Sequence, residues 1–274
     1  MQGRSKASMS QWMPATARRG RAPCFESGRI GFAIGDVHGR VDLLDRIVAR
    51  VREAAWSSNL PDAVAIFLGD YVDRGPHSAT VIDYLLNELP LGFEWRFLKG
   101  NHEAAMLQFI DAPLPNRGWL AHGGLETLAS YRVPLPSIGS SDEAVLDAHA
   151  HLVACMPAAH MSFLENLERY VVYGDYAFVH AGVDVDAALD QQSDTDLFWA
   201  RDRFINATRP FSHLVVHGHT PVRAPYRDHR RICVDTGAYA TGRITAACFL
   251  EEAVSFLVED ASGRRRRLNH TARQ

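Results

Sequence analysis

Eight polar side chains carry the chemical interest of this sequence: Asp36 and His38 in GDVHG, Asp70 and Asp73 in GDYVDRG, Asn101 and His102 in GNHE, His180 in VHAG and His219 in HGHT. Six of them, Asp36, His38, Asp70, Asn101, His180 and His219, are good metal ligands. A mixed oxygen and nitrogen set without thiolate suits Mn²⁺, Fe or Zn²⁺ better than Ca²⁺ or Mg²⁺. Six ligands exceed what one ion with an open position uses. Two ions about 3.5–4 Å apart, sharing a carboxylate and a water, account for them and support in-line displacement at phosphorus. Any one of these words alone is weak, because Gly-Asp marks many ordinary turns and a lone His in an apolar strand is usually a satisfied core residue. Five of them in order, each closing an apolar run, make chance a poor account.

The elements that must position these residues follow from periodicity. RIGFAIGD (29–36), AVAIFLGD (63–70) and FEWRFLKGN (93–101) are short apolar runs and predict strands. Between them, Val41, Leu44, Val48, Val51 and Ala55 recur at helical spacing, and SATVIDYLLNEL (78–89) predicts a helix with Ser78 as N-cap. Prolines and helical patterning over 111–168 predict an inserted helical region beside the site. From Tyr170 the chain turns β-rich, with a hairpin about Gly174-Asp175 and strands in HLVVHGHT, RICVDTG, ITAACFLEE and AVSFLVED. Alternating strands and helices followed by strands give an α/β fold, and in open α/β sheets the carboxyl ends of the strands bring distant residues together.

Bulk properties exclude several classes. The 274 residues, 47% hydrophobic and 22% charged, suffice for one large domain with a real core. A net charge of −3 argues against a nucleic-acid binder. No run reaches the roughly 20 apolar residues of a membrane span. The four cysteines form no C-x-x-C pair, which fits reduced thiols and a cytoplasmic setting. Residues 1–28 are basic up to Glu26 and lack an apolar signal core, so they are expected to be a flexible extension, as is the basic tail 263–274. The catalytic domain is then 29–262, and a monomer is favoured.

The five words, in this order across residues 31–242, resemble the PPP family of metal-dependent serine/threonine phosphoprotein phosphatases, within the calcineurin-like phosphoesterase superfamily. The bacterial and phage branch is most similar, through WLAHGGLETL and DTGAYATGRITA, the latter with Ile244 where that branch has Leu. The resemblance implies a central β-sandwich of mixed sheets flanked by helices. It assigns Asp36 and His38 to a first ion, Asp70 to the bridge, and Asn101, His180 and His219 to a second, with a metal-bridging hydroxide attacking phosphorus. Asn101 then supplies an oxygen without further negative charge. His102 becomes the general acid, Asp73 its partner, and Arg74 and Arg201 the clamp on the phosphoryl oxygens. Arg203 rivals Arg201, and His217 and His122 remain open candidates near the site. Asp235 is a hydrogen-bonding support, and Glu103 supports the first turn of its helix.

Two departures narrow the substrate. Many phosphodiesterases of the superfamily carry GHxH, whereas GHTP puts Pro221 at that position. Symmetrical diadenosine tetraphosphate hydrolases commonly read GDLVARG, without the carboxylate that Asp73 supplies. The expectation is therefore a monoesterase acting on phosphoprotein or phosphopeptide, with dinucleoside polyphosphate hydrolysis as the alternative. A non-catalytic scaffold is the rival from another class, and the complete set of ligands speaks against it.

Overall fold

The computed structural model describes residues 21–137 and 139–269. Three parallel strands, β1 (Arg29–Ile34), β2 (Asp62–Phe67) and β3 (Phe93–Phe97), are joined by crossover helices α1 (Val41–Ser57) and α2 (Ser78–Asn87). On the other side of β1 the sheet continues antiparallel through β9 (Arg243–Leu250), β10 (Ala253–Asp260) and β11 (Arg265–Asn269). A second sheet is built from the hairpin β4 (Tyr170–Tyr173) and β5 (Tyr176–Val179), then β6 (Leu214–His217), β8 (Arg231–Cys233) and β7 (Tyr226–Arg227) in spatial order. Helix α3 (Asn101–Asp111) and the inserted helices α4 (Gly124–Ser130), α5 (Asp142–Cys155) and α6 (Ala158–Glu165) lie against the first sheet. α7 (Asp194–Trp199) and α8 (Asp202–Ile205) cover the second.

The period of two decides which face each side chain serves. Ala63, Ala65 and Phe67 of β2 face the helices with Phe32 and Ile34 of β1, while Val64 and Ile66 face the space between the sheets with Ala33. Phe178 of β5, Val216 of β6 and Phe249 of β9 meet them there. In β6, Val215 points the other way, toward Leu197 and Phe204. The central strands β1, β2, β5, β6 and β9 are thus buried on two faces, which is why they read as continuous apolar runs. Each fully buried large side chain contributes about 1.5–3 kcal/mol of transfer free energy. The two-sheet architecture expected from the resemblance is the one observed.

Three local expectations are corrected. Phe25, inside the segment expected to be a flexible extension, is buried between the sheets and stacks on Tyr173 and Phe249 at 5.7 Å; the remainder of that expectation, residues 1–20, lies outside the described residues. The basic tail after Gly263 is exposed as expected, yet Arg265–Asn269 pair with β10 as an edge strand; residues 270–274 are outside the description. Ser78 is the first residue of α2, not its N-cap, and its hydroxyl faces the site instead. Serine oxygen bonds local backbone wherever the turn presents an N–H, and here the Asp73 amide competes for it.

Polar contacts tie the two sheets together at one edge. Glu94 of β3 accepts from Tyr173 of β4 at 2.6 Å and from Arg29, while Arg96 donates to Glu168. Arg29, then Tyr173, hold Glu94 down to about 2. A depressed carboxylate stabilises the fold above its ordinary value of 4.5 and loses that contribution as pH falls toward 2. Glu94→Gln is therefore expected to flatten the acid side of a stability–pH curve in that window. At pH 7 it costs less than about 1 kcal/mol, because the group is partly exposed and screened. Thermal melts between pH 2 and 7 check this.

Candidate metal and phosphoester site

The strand ends behave as their sequence suggests. After β1 and β2 the chain turns sharply, and His38, Asp70, Asp73, Arg74 and His219 all adopt positive φ, between 46° and 70°. Such backbone costs about 1–3 kcal/mol per residue and persists only where surroundings over-determine it. Glu103 supplies part of that constraint. Fully buried, it accepts from the amides of Gly100 and Asp70 at 2.9 Å, Tyr71 at 2.7 Å and Val72 at 3.2 Å. It does more than support its own helix: one carboxylate fastens the α3 N-terminus to the loop that carries Asp70. Burial and the neighbouring Asp70 push it up to about 7.

Close approach explains the glycine beside Asn101. A Cβ on Gly100 would lie 2.1 Å from Asp70 Oδ1. Gly100→Ala is therefore expected to displace Asp70 and lower metal affinity by at least about tenfold, the scale seen when ligand-orienting contacts are lost. Equilibrium dialysis against Mn²⁺ measures it.

Two groups of donors converge on Asp70: His38, Asp70 and His102 on one side, and Asp70, His180 and His219 on the other. Asp70 Oδ2 faces His38 Nε2 at 3.4 Å, and Oδ1 faces His180 Nε2 at 3.4 Å. Asn101 Oδ1 lies 2.9 Å from His180 Nε2 and 2.8 Å from His219 Nδ1. Asp36 stands behind, both of its oxygens accepting from the His219 amide at 3.3 and 3.1 Å, and it falls in neither group. Asp235, also buried, accepts from the Gly237 amide at 2.8 Å.

The tautomers test whether cations fit. His38 Nδ1 donates to Val72 O at 2.9 Å and His180 Nδ1 to Leu68 O at 2.8 Å. Burial holds both imidazoles well below their ordinary value, so each is neutral and Nε2 carries a lone pair. The His180 lone pair thus confronts oxygens of Asn101 and Asp70 with no proton between them. Burial, then Asp235 and Asp70, push Asp36 well above the carboxylate range. Converging lone pairs and buried acids are stabilised by positive charge, and a backbone carbonyl on the far nitrogen is the usual orientation of a ligating His. Each of the two donor groups fits a cation, and Asp70 belongs to both.

His102 is placed differently. Its Nδ1 lies 2.6 Å from Asp73 Oδ2, and its Nε2 stands 4.0 Å from Asp70 Oδ2. Burial pulls its pKa down, but Asp70 and Asp73 outweigh it and the net direction is upward. Asp73 also accepts from Trp119 Nε1 at 2.8 Å and Thr127 Oγ1 at 2.7 Å. The WLAHGGLETL segment stands out in the sequence, but these two bonds do not. The signal available was a Trp and a Thr spaced to face one side of a turn and helix, which is indistinguishable from packing without coordinates.

Arg74 Nη1 donates to His38 Nε2 at 3.2 Å and its guanidinium covers Tyr239 at 4.7 Å. Arg201 Nε donates to His219 Nε2 at 3.1 Å, whereas the rival Arg203 is paired with Asp184 at 2.8 Å. Arg74 and Arg201 border a cleft of about 560 Å³ whose walls include His102, Trp119, Gln108 and Trp199. His122 is exposed on that wall, bonded to Gly118 O. His217 is buried, edge-on to Phe204 at 5.2 Å, and belongs to neither donor group.

A two-sheet α/β fold with paired donor groups about a shared carboxylate has a counterpart among known proteins. The calcineurin-like phosphoesterase family profile matches residues 32–248, and the chain belongs to that family. It is 28% identical, over 81% of its length and 92% of the relative's, to bis(5'-nucleosyl)-tetraphosphatase PrpE (asymmetrical) of Bacillus thuringiensis strain Al Hakam. The protein of the same name in Bacillus anthracis strain CDC 684 is 27% identical over the same shares. A crystal structure assigned as a diadenosine tetraphosphatase superposes with TM-score 0.55 at 18% identity, covering 92% of this chain and 100% of that one. A cold-active protein-tyrosine phosphatase of a psychrophilic Shewanella gives 0.55 at 16%, covering 89% and 83%. These structural likenesses establish the fold. No helix among the described residues is long and apolar enough to cross a membrane.

Proposed function

We propose that this protein is a dinuclear-metal phosphomonoesterase acting on phosphorylated serine, threonine or tyrosine side chains. The observation that carries the reading is the buried His102–Asp73 pair opening on the cleft. A proton donor is needed most where the leaving group is a poor one, as an alkoxide is. A nucleoside phosphate leaves readily without one.

Asp36, His38, Asp70, Asn101, His180 and His219 would hold the ions, Mn²⁺ first among the candidates. When bound, two cations supply Lewis acidity and lower the pKa of the water they hold. The remaining work belongs to side chains. Arg74 Nη1 now lies 3.2 Å from His38 Nε2; with His38 engaged as a metal ligand, its guanidinium would be free to bind the phosphoryl oxygens. Arg201 takes up the phosphoryl group from the His219 side. Planar guanidinium matches that geometry bidentately. His102, held by Asp73, gives its Nε2 proton to the departing oxygen, a contribution of about 10²–10⁴-fold.

A second reading, hydrolysis of dinucleoside polyphosphates, is favoured by the names of the Bacillus relatives. Comparing kcat/KM on a phosphoserine peptide and on diadenosine tetraphosphate with Mn²⁺ present separates the two. Preference for the peptide is expected, and a large preference for the dinucleotide overturns the monoesterase reading.

A further inference from the structure

Asp73 is fixed from three directions by groups distant in sequence. His102 Nδ1 and Trp119 Nε1 share Oδ2 at 2.6 and 2.8 Å, and Thr127 Oγ1 holds Oδ1 at 2.7 Å. Trp119 lies in a 3₁₀ turn (Arg117–His122) and Thr127 on α4, so neither belongs to the loop that carries Asp73. The hydroxyl network has a defined polarity. Thr127 has one hydrogen, and it goes to Oδ1, while its oxygen accepts the Asp73 amide at 2.9 Å. Ser78 Oγ, 3.0 Å from Thr127 Oγ1, must therefore be the donor in that contact. Donation runs from Ser78 to Thr127 to Asp73, and all three side chains are fully buried. Asp73 itself sits at φ 70°, a conformation that needs such restraint.

We infer that Trp119 and Thr127 are positioning residues for proton donation. Acting through Asp73, they keep the His102 imidazole with Nδ1–H on Asp73 and Nε2–H toward the leaving oxygen; this rests on the phosphomonoesterase reading above. In the step they serve, a water oxygen bonds to phosphorus and gives up one proton to solvent. The ester P–O bond breaks with its electron pair leaving on oxygen, and that oxygen takes the His102 Nε2 proton. The imidazole is left neutral with Nδ1–H still on Asp73 and regains a proton from solvent. Two extra donors also spread the carboxylate's charge and weaken its pull on His102. Orientation outweighs that loss, because misplacing a reacting group by about 1 Å costs about 10²-fold.

The test uses Trp119→Phe, which keeps the ring and removes the N–H, with Thr127→Val and Thr127→Ser, which remove and keep the hydroxyl. On a phosphoserine peptide with Mn²⁺, kcat is expected to fall about 10–100-fold in Trp119→Phe and Thr127→Val, with KM within about threefold. On p-nitrophenyl phosphate, whose phenolate leaves without help, the fall is at least about ten times smaller, and Thr127→Ser restores most of the peptide rate. In a His102→Asn background, Trp119→Phe adds less than about twofold, since both act through one group. Equal losses on both substrates, failure of Thr127→Ser to restore, or multiplicative losses with His102→Asn overturn the assignment. If His102→Asn discriminates between the substrates and these variants do not, the positioning role alone falls. If His102→Asn does not discriminate, the proton-donor reading falls with it.

Discussion

His102→Asn is expected to keep its metal and lose turnover. The His102 imidazole faces Asp73 through Nδ1 and stands 4.0 Å from Asp70 through Nε2, while the Asn101 oxygen beside it lies among the nitrogens of His180 and His219. Adjacent residues at the start of one helix thus point to different tasks, so replacing one leaves the other's contacts in place. The expected loss in kcat on a phosphoserine peptide is about 10²–10⁴-fold, or about 3–5 kcal/mol of barrier. On p-nitrophenyl phosphate the loss is much smaller. Metal analysis on the same sample completes the measurement, and loss of the metals would show that His102 had been given the wrong task.

Stripping the metal, and replacing Asp70 by Asn, should have opposite effects on stability. Asp36, Asp70, Asp73 and Asp235 are all buried around the site, and burial, with a smaller push from Asp73, raises Asp70 above its ordinary value against the pull of His102 and Arg74. Without cations the Asp70 charge is a liability, and Asp70→Asn is expected to unfold less readily than wild type when both are chelated. With cations the order reverses. Saturating metal at about 1,000 times its dissociation constant adds about 4 kcal/mol to wild type, or about 10 °C in Tm. The variant gains far less, because it lacks the carboxylate whose two oxygens face His38 and His180. Its activity is expected to fall more than about a thousandfold, since several kcal/mol of Lewis-acid stabilisation is lost. Differential scanning calorimetry with and without EDTA decides it; a variant that gains as much from metal as wild type would remove Asp70 from the bridging position.

The central strands were legible because burial on both faces leaves apolar runs, and the ligand candidates because each closes such a run; the two-residue strand Tyr226–Arg227 carries no such signal. Asp70 facing two histidines follows from the turn after β2, which GDYVDRG marks. What could not be read depends on tertiary context. Phe25 is one aromatic in a basic stretch and has no periodicity to announce burial. Arg265–Asn269 read as solvated chain because composition says nothing about backbone pairing. Ser78 has the residue type of a cap, and the Asp73 amide that it meets comes from the preceding loop through tertiary packing. Trp119 and Thr127 reach Asp73 across 46 and 54 residues, a coincidence of faces that spacing within either segment does not encode.

The strand β11 has a consequence for the protein's behaviour in a crowded solution. β10, beside it, buries Val254, Phe256, Leu257 and Val258. Were it outermost, its unpaired amides and carbonyls would offer a template for another copy of the chain. β11 instead presents Arg265, Arg266 and Arg267 along the rim, where like charges on two approaching copies repel. The arginine run is, in this sense, a guard against edge-to-edge association, built from residues whose composition resembles an idle tail.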